Sequence, residues 1–452
     1  MEIKERVDRI DRMIIDCMVE DKIPGLSLAI IDKDGIVYSQ GYGSRQLKEN
    51  LPSTPDTLYG IGSCSKSFAA LAVMQLVEKK ALDLDHRISE YLPVDFGDQR
   101  VTVHNLLTHS SGMPSLAVSE LLIDRLIGMD ERGTPMGSPE DFYRHMNGAV
   151  DEIAANPGER FFYFNSGYTL LGELVKEVSG MPFEKYVKNN ILDPLYMERS
   201  TYLKEEFEED PDVMTPYFMD DEGPRPTSIP LRELGYAPGG LMSSVNELSN
   251  YLMMLLNEGE FKGEKLLDSD LLECMCKPHI ERPTGAYGYG WSVEEFMGDK
   301  FVGHGGSIAV STAYIGFTPE IAIALLVNTA PSTSPQQLAK ACLSIIKGRD
   351  HMEDLPYFER REMFKRLTGE YHSYRGLKKA RVEQVGGLLK LTFLERLEKE
   401  TYMLIPEHKL LKDFDFYTLL VDGTKEPVEF DVNDNSVDLY IGRWRLHKCT
   451  TT

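Results

Sequence analysis

Apolar residues recur at three- and four-residue steps over residues 4–20, where Val7, Ile10, Ile14 and Met18 share one face; this predicts an amphipathic helix. Two β-type runs follow in "GLSLAIIDKDGIVYSQGYG", and the Asp34-Gly35 turn signal between them predicts a hairpin. From Gly60 to about Pro230, helical patterns and Pro/Gly loops dominate. The β signal returns in "TAYIGFTPEIAIALLVNT", with its turn at Thr318-Pro319-Glu320, and "SPQQLAKACLSIIKG" predicts a closing helix. Strands from both ends of this region enclose a helical stretch. The pattern fits one antiparallel sheet flanked by helices, with a helical subdomain inserted, an α/β (α+β) fold.

Past "GRDHMEDLPYFERREMFKR", the period changes to short alternating runs. "LLKLTFL", "FDFYTLLV", "VEFDV" and "VDLYIG" are separated by Gly386-Gly387, Asp422-Gly423 and Asn433-Asp434-Asn435. Short strands with no helix between them predict an all-β antiparallel barrel. Leu389, Leu391, Phe393, Phe414, Phe416 and Phe430 are its expected core. The expected divisions are residues 1–350, a charged linker at 351–369, and the barrel at 370–452.

Composition narrows the class. With 452 residues, 42% hydrophobic and 27% charged, the chain has the balance of a globular protein of two or more domains. "MEIKERVDRIDRMIIDCMVEDK" carries charges throughout, so no signal peptide is expected and the compartment read from it is the cytoplasm. No run approaches the roughly 18 apolar residues of a membrane span. The six cysteines are scattered, and the spacing of Cys274 and Cys276 suits neither a zinc site nor a redox pair. Neither metal nor cofactor is expected. A net charge of −23 argues against nucleic acid. Residues 371–452 are neutral, with 13 basic and 13 acidic side chains, so the acidic excess belongs to the first 370 residues.

Candidate chemistry begins at "YGIGSCSKSFAALAVMQLVEK", where Ser63 and Lys66 stand one helical turn apart at the start of an apolar helix. Burial strips hydration from a lysine's charged form and lowers its pKa towards neutrality, so such an amine can take a serine's proton. S-x-x-K alone is weak, because Ser344 and Lys347 repeat the spacing at the end of the closing helix. Two further triplets each occur once in the chain: Tyr163-Phe164-Asn165, and His304-Gly305-Gly306, which Ser307 follows. Together these elements supply a nucleophile, proton carriers, an amide and a glycine-containing strand that permits close backbone approach.

The order S-x-x-K, Y-x-N, H-x-G resembles the penicillin-recognising serine hydrolases. The similar branch holds class C β-lactamases, D-alanyl-D-alanine carboxypeptidases, D-aminopeptidases and CubicO-type peptidases. The likeness spans about residues 5–347 and extends to "VTVHNLLTHSSGMP", "YAPGGLMSSVNELSNYLMMLLNEG" and "YGYGWSV". It implies a class C β-lactamase-like fold, with Ser63 as acylated nucleophile and Lys66 as its proton acceptor. Tyr163 would be the second base, with His304 also among the catalytic residues. Asn165, Gly306 and Ser307 would bind substrate, and the backbone N–H groups of Ser63 and Ser307 would form the oxyanion hole. His109, in the "LLTHSSG" loop, is structural in this family. Archaeal CubicO-type peptidases also resemble the chain in ending with a lipocalin-like domain, and they assemble into closed oligomers, which implies a homo-oligomer here.

In true β-lactamases and many carboxypeptidases, lysine opens the third motif and helps hold the substrate carboxylate. Here the residue is His304, as in D-aminopeptidases and various esterases. The expected function is therefore that of a serine peptidase working through an acyl-enzyme. It would be aminopeptidase-like, on small peptides that include ones with D-residues. The alternatives are a carboxylesterase or weak β-lactamase and, from another class, a non-catalytic ligand-binding protein. No nucleic-acid or membrane partner is expected.

Overall fold

The computed structural model describes residues 3–220, 223–394, 400–408, 414–433 and 436–449. Of the turn signal Asn433-Asp434-Asn435, Asn433 is described and the other two positions lie outside these residues.

In the first unit, residues 1–348, helix α1 (Ile3–Glu20) leads into the expected hairpin of β1 (Gly25–Ile31) and β2 (Ile36–Gln46). The Asp32 carboxylate accepts from the N–H groups of Asp34 and Gly35 and so fixes its turn. A short β3 (Leu51–Pro52) follows. The helical region contains α2 (Ser65–Glu78), α3 (Val118–Leu126), α4 (Asn165–Ser179) and α5 (Val245–Leu256), with shorter helices between them. The chain then returns to the sheet as β4 (Ile280–Arg282), β5 (Gly285–Tyr287), β6 (Ser292–Phe296), β7 (Asp299–Ser307), β8 (Thr312–Phe317) and β9 (Ala322–Val327). Helix α6 (Pro335–Ile346) closes the unit, and the Arg6 guanidinium donates to its Ile346 carbonyl.

The sheet order is β4-β5-β6-β7-β8-β9-β1-β2-β3, every pair antiparallel. Its two sequence-distant parts join where Leu26 faces Val327 and Ile30 faces Ile323. Strands β1 and β9 are buried at every residue, which requires cover on both faces. Ala29, Ile31, Ala324 and Leu326 share a core with α5, while Leu28, Ile30, Ile323 and Leu325 point the other way by the strand's two-residue period. Helix α2 runs through that core, buried from Ser65 to Leu76, with Phe68 stacked on Tyr251 at 4.0 Å. Its apolar surroundings set the electrostatics of everything at its N-terminus.

The second unit, residues 349–452, is a closed barrel of eight consecutive antiparallel strands. They are β10 (Gly369–His372), β11 (Lys379–Val385), β12 (Leu388–Phe393), β13 (Thr401–Pro406), β14 (Asp415–Leu419), β15 (Lys425–Val432), β16 (Val437–Ile441) and β17 (Trp444–Lys448). Leu389, Leu391, Phe393, Phe416 and Phe430 fill the interior as expected, and Phe414 packs against them half-buried. The segment expected as a linker is helical, in α7 (His351–Asp354) and α8 (Pro356–Leu367). Met363, Phe364 and Leu367 recur at helical spacing and join the barrel core, which orders a stretch whose charge density reads as solvated.

Candidate active site

Ser63 lies in a 3₁₀ turn, Gly62–Cys64, that runs directly into α2. Gly62 has φ +52°, a left-handed conformation that glycine adopts without penalty. The turn is tied down on several sides. The Ser65 hydroxyl donates to the Gly62 carbonyl and accepts from the Leu241 N–H, and the Cys64 thiol donates to the His304 carbonyl.

Lys66, one turn on, is fully buried, and its Nζ meets three oxygens: Ser63 Oγ at 3.0 Å, Asn165 Oδ1 at 2.7 Å and the Pro238 carbonyl at 2.7 Å. Burial pulls its pKa down to about 7, against smaller upward pulls from Cys64 and Glu120. Burial thus makes a neutral amine accessible near neutral pH. A neutral amine has two N–H groups and one lone pair. The Asn165 and Pro238 oxygens can only accept, so they take both hydrogens and the lone pair is left for the Ser63 proton.

Asn165 opens α4, and Tyr163 precedes it by two residues. The Tyr163 ring lies 4.8 Å from Lys66 Nζ, and Ser63 is near enough to its hydroxyl to pull the phenol's pKa down. Burial raises the phenol's pKa well above its ordinary value, outweighing the downward effect of Ser63. The "LLTHSSG" loop forms the bed for this segment: His109 Nδ1 accepts from the Phe164 N–H at 3.0 Å, and its carbonyl accepts from the Phe162 N–H. His109 is buried and its ring sits 4.4 Å from that of Tyr163.

Strand β7 makes the opposite wall. His304 is buried, with Nε2 at 2.9 Å from the Tyr287 hydroxyl and Nδ1 at 2.6 Å from the Gly305 carbonyl. A carbonyl only accepts, so Nδ1 carries the proton and Nε2 accepts from Tyr287. Burial, reinforced by Lys66, lowers the His304 pKa to about 3, and the ring is neutral. Both nitrogens are thus engaged, and the ring of Tyr163 is 6.2 Å away. Gly306 turns towards the nucleophile's turn: a Cβ there would collide with the Ile61 carbonyl oxygen and stand 3.0 Å from the Ser63 nitrogen. Gly306→Ala must push strand and turn apart. The expected result is a loss of about 10² in kcat/KM with the fold retained, since a displacement near 1 Å has that cost. Wild-type rates in this variant would show that the close approach is dispensable.

A cavity of about 350 Å³ opens beside Ser63, with Asn165 and Ser307 on its wall. The structure thus brings together Ser63, Lys66, Tyr163, Asn165, His304, Gly306 and Ser307 from three distant stretches. Sequence reasoning passed over the Pro238 carbonyl, Tyr287 and Glu120. The first two lie in the stretches "YAPGGLM" and "YGYGWSV", whose residue pattern signals no acid, base or nucleophile. Ser344, the other S-x-x-K serine, is buried in α6, and Lys347 is paired with Glu320 at 3.1 Å.

The family model described as Beta-lactamase matches residues 10–342, and the one described as Pab87 octamerisation domain matches residues 352–447. The octameric penicillin-binding protein homologue from Pyrococcus abyssi is 39% identical, with TM-score 0.92; the match covers 98% of this chain and 100% of that one. A class C beta-lactamase, 20% identical with TM-score 0.64, shares the fold over 76% of this chain and 97% of its own. Protein flp of Staphylococcus aureus (strain COL) is 26% identical over 322 residues, 69% of this chain and 60% of that protein. The chain thus spans about 60% of that relative's length. Among the described residues no helix is long and apolar enough to cross a membrane.

Proposed function

Since this chain belongs to the β-lactamase family of serine hydrolases, we propose that it is a peptidase acting on small peptides through an acyl-enzyme at Ser63. The observation that carries the reading is the buried Lys66 amine, 3.0 Å from Ser63 Oγ and matched to two obligate acceptors. Neutral Lys66 takes the serine proton as Oγ attacks the substrate carbonyl. The backbone N–H groups of Ser63 and Ser307 receive the developing oxyanion. Tyr163, protonated at neutral pH, passes its proton to the leaving amine and then serves as base for the hydrolytic water. Asn165 holds Lys66 through its oxygen and offers its NH₂ to the substrate amide. His304 acts on this group by position, as a neutral ring that keeps uncompensated charge away from Tyr163. Gly306 lets the strand close on Ser63.

The proposed preference is aminopeptidase-like. His304 stands where carboxylate-binding relatives carry lysine, and the acidic excess lies within the first 370 residues. N-acetylating a good peptide substrate is expected to lower kcat/KM about tenfold or more, the size of one lost charge-assisted contact. The check is a panel of D- and L-aminoacyl amides, p-nitrophenyl esters and nitrocefin, with mass spectrometry for acyl-Ser63. Equal cleavage of free and acetylated peptides would refute the preference, and an acyl group on another residue would refute the mechanism. The octamerisation-domain match over 352–447 and the octameric homologue support self-association of the chain.

A further inference from the structure

Helix α3 forms one wall of the cavity beside Ser63, and what it presents there is uneven. Leu122 and Ile123 are apolar, as are Leu231 and Ile308 elsewhere on the lining. Two carboxylates interrupt this surface, Glu120 and Asp124. Asp124 is committed, because the Arg132 guanidinium donates to it at 2.7 Å. Glu120 is exposed and has no ion pair among the described residues. Its charge nevertheless reaches the reacting groups, being felt at both Lys66 and Tyr163. An unpaired carboxylate on the wall of the cavity that contains the nucleophile is placed to receive a cation on the substrate.

We propose that Glu120 holds the α-ammonium of the substrate's N-terminal residue, while that residue's apolar side chain lies along Leu122, Ile123 and Ile308. This rests on the reading of Ser63 as the acylated nucleophile and adds the residue and substrate class that set its preference. The cavity, at about 350 Å³, has the volume of one or two amino-acid residues. Arg232 also lies on the lining and is exposed, so a substrate carboxylate is the competing occupant. Glu120 is favoured over it because the lining carries two carboxylates against one guanidinium, and the acidic excess of the first 370 residues disfavours an anionic substrate.

The test uses one leucyl p-nitroanilide in three forms: free amine, N-acetyl and N-succinyl. The full-length wild type is compared with Glu120→Gln and Glu120→Asp. Wild type is expected to follow the order free, acetyl, succinyl, and the free-to-acetyl ratio of kcat/KM should fall tenfold or more in Glu120→Gln. Glu120→Asp, which keeps the charge, should recover part of that ratio. A preference for the succinyl form, or a ratio unchanged by Glu120→Gln, would overturn the assignment. Fluorophosphonate labelling separates the two levels of failure. If Ser63 is labelled in all three proteins while the ratio stays fixed, Glu120 is wrong and the hydrolase stands. If wild-type Ser63 resists labelling, the hydrolase reading falls and the Glu120 assignment with it.

Discussion

Ser63→Ala is expected to lower kcat/KM by at least about 10⁴ and to abolish fluorophosphonate labelling, whereas Ser344→Ala leaves both intact. Loss of a nucleophile that acts in concert with its base removes nearly all that the constellation contributes, which is why so large an effect is expected from one oxygen atom. The two serines share the S-x-x-K spacing, so the contrast isolates environment from motif. Ser63 is half-buried on the cavity wall, beside a lysine whose pKa burial has brought to about 7. Ser344 is buried in α6, and its lysine is held as an ion pair with Glu320. An ammonium group in an ion pair has no lone pair to offer. Undiminished turnover in Ser63→Ala, or a label found elsewhere, would sink the assignment.

The same contrast shows what sequence can and cannot carry. Side-chain chemistry at fixed spacing was legible: the triplets at Ser63, Tyr163 and His304 lie far apart in the chain, yet lead to one set of hydrogen bonds. The hairpin at Asp34-Gly35, the return of strands at residue 312 and the barrel were legible too, because period-two runs and turn residues encode them locally, whereas the strands between Ile280 and Phe296 were not. The Pro238 carbonyl was not. Every residue has a carbonyl, and 172 residues separate this one from Lys66. Helix α8 was obscured by composition: its charges outnumber Met363, Phe364 and Leu367, but three apolar side chains on one face suffice to dock it. His304 marks a subtler limit. Its residue type suggests a proton carrier, but Tyr287 and Gly305 occupy both ring nitrogens, and nothing local to the motif signals Tyr287.

Lys66 and Tyr163 are expected to behave as one unit. Tyr163→Phe removes a single oxygen and is the cleaner variant. Lys66→Met keeps the volume but leaves Asn165 Oδ1 and the Pro238 carbonyl without their donor, so it should also lower Tm. Each is expected to reduce kcat/KM by about 10²–10⁴, and the double variant should fall little below the worse single one. The reason is geometric: Lys66 hydrogen-bonds Ser63 and its amine lies 4.8 Å from the Tyr163 ring, so once one group is missing the other has no complete proton path to serve. The pH profile supplies an independent sign. Burial disfavours the charged amine, so Lys66 is neutral and competent above about pH 7 and protonated below it. With an uncharged ester substrate, which removes any titration of the substrate itself, wild-type kcat/KM should rise through about pH 7 and then level off. In Lys66→Met that rise should disappear, while Tyr163→Phe should retain it at a lower rate. Additive losses in the double-mutant cycle, or an unchanged rise in Lys66→Met, would show that the proton leaves Ser63 by another route.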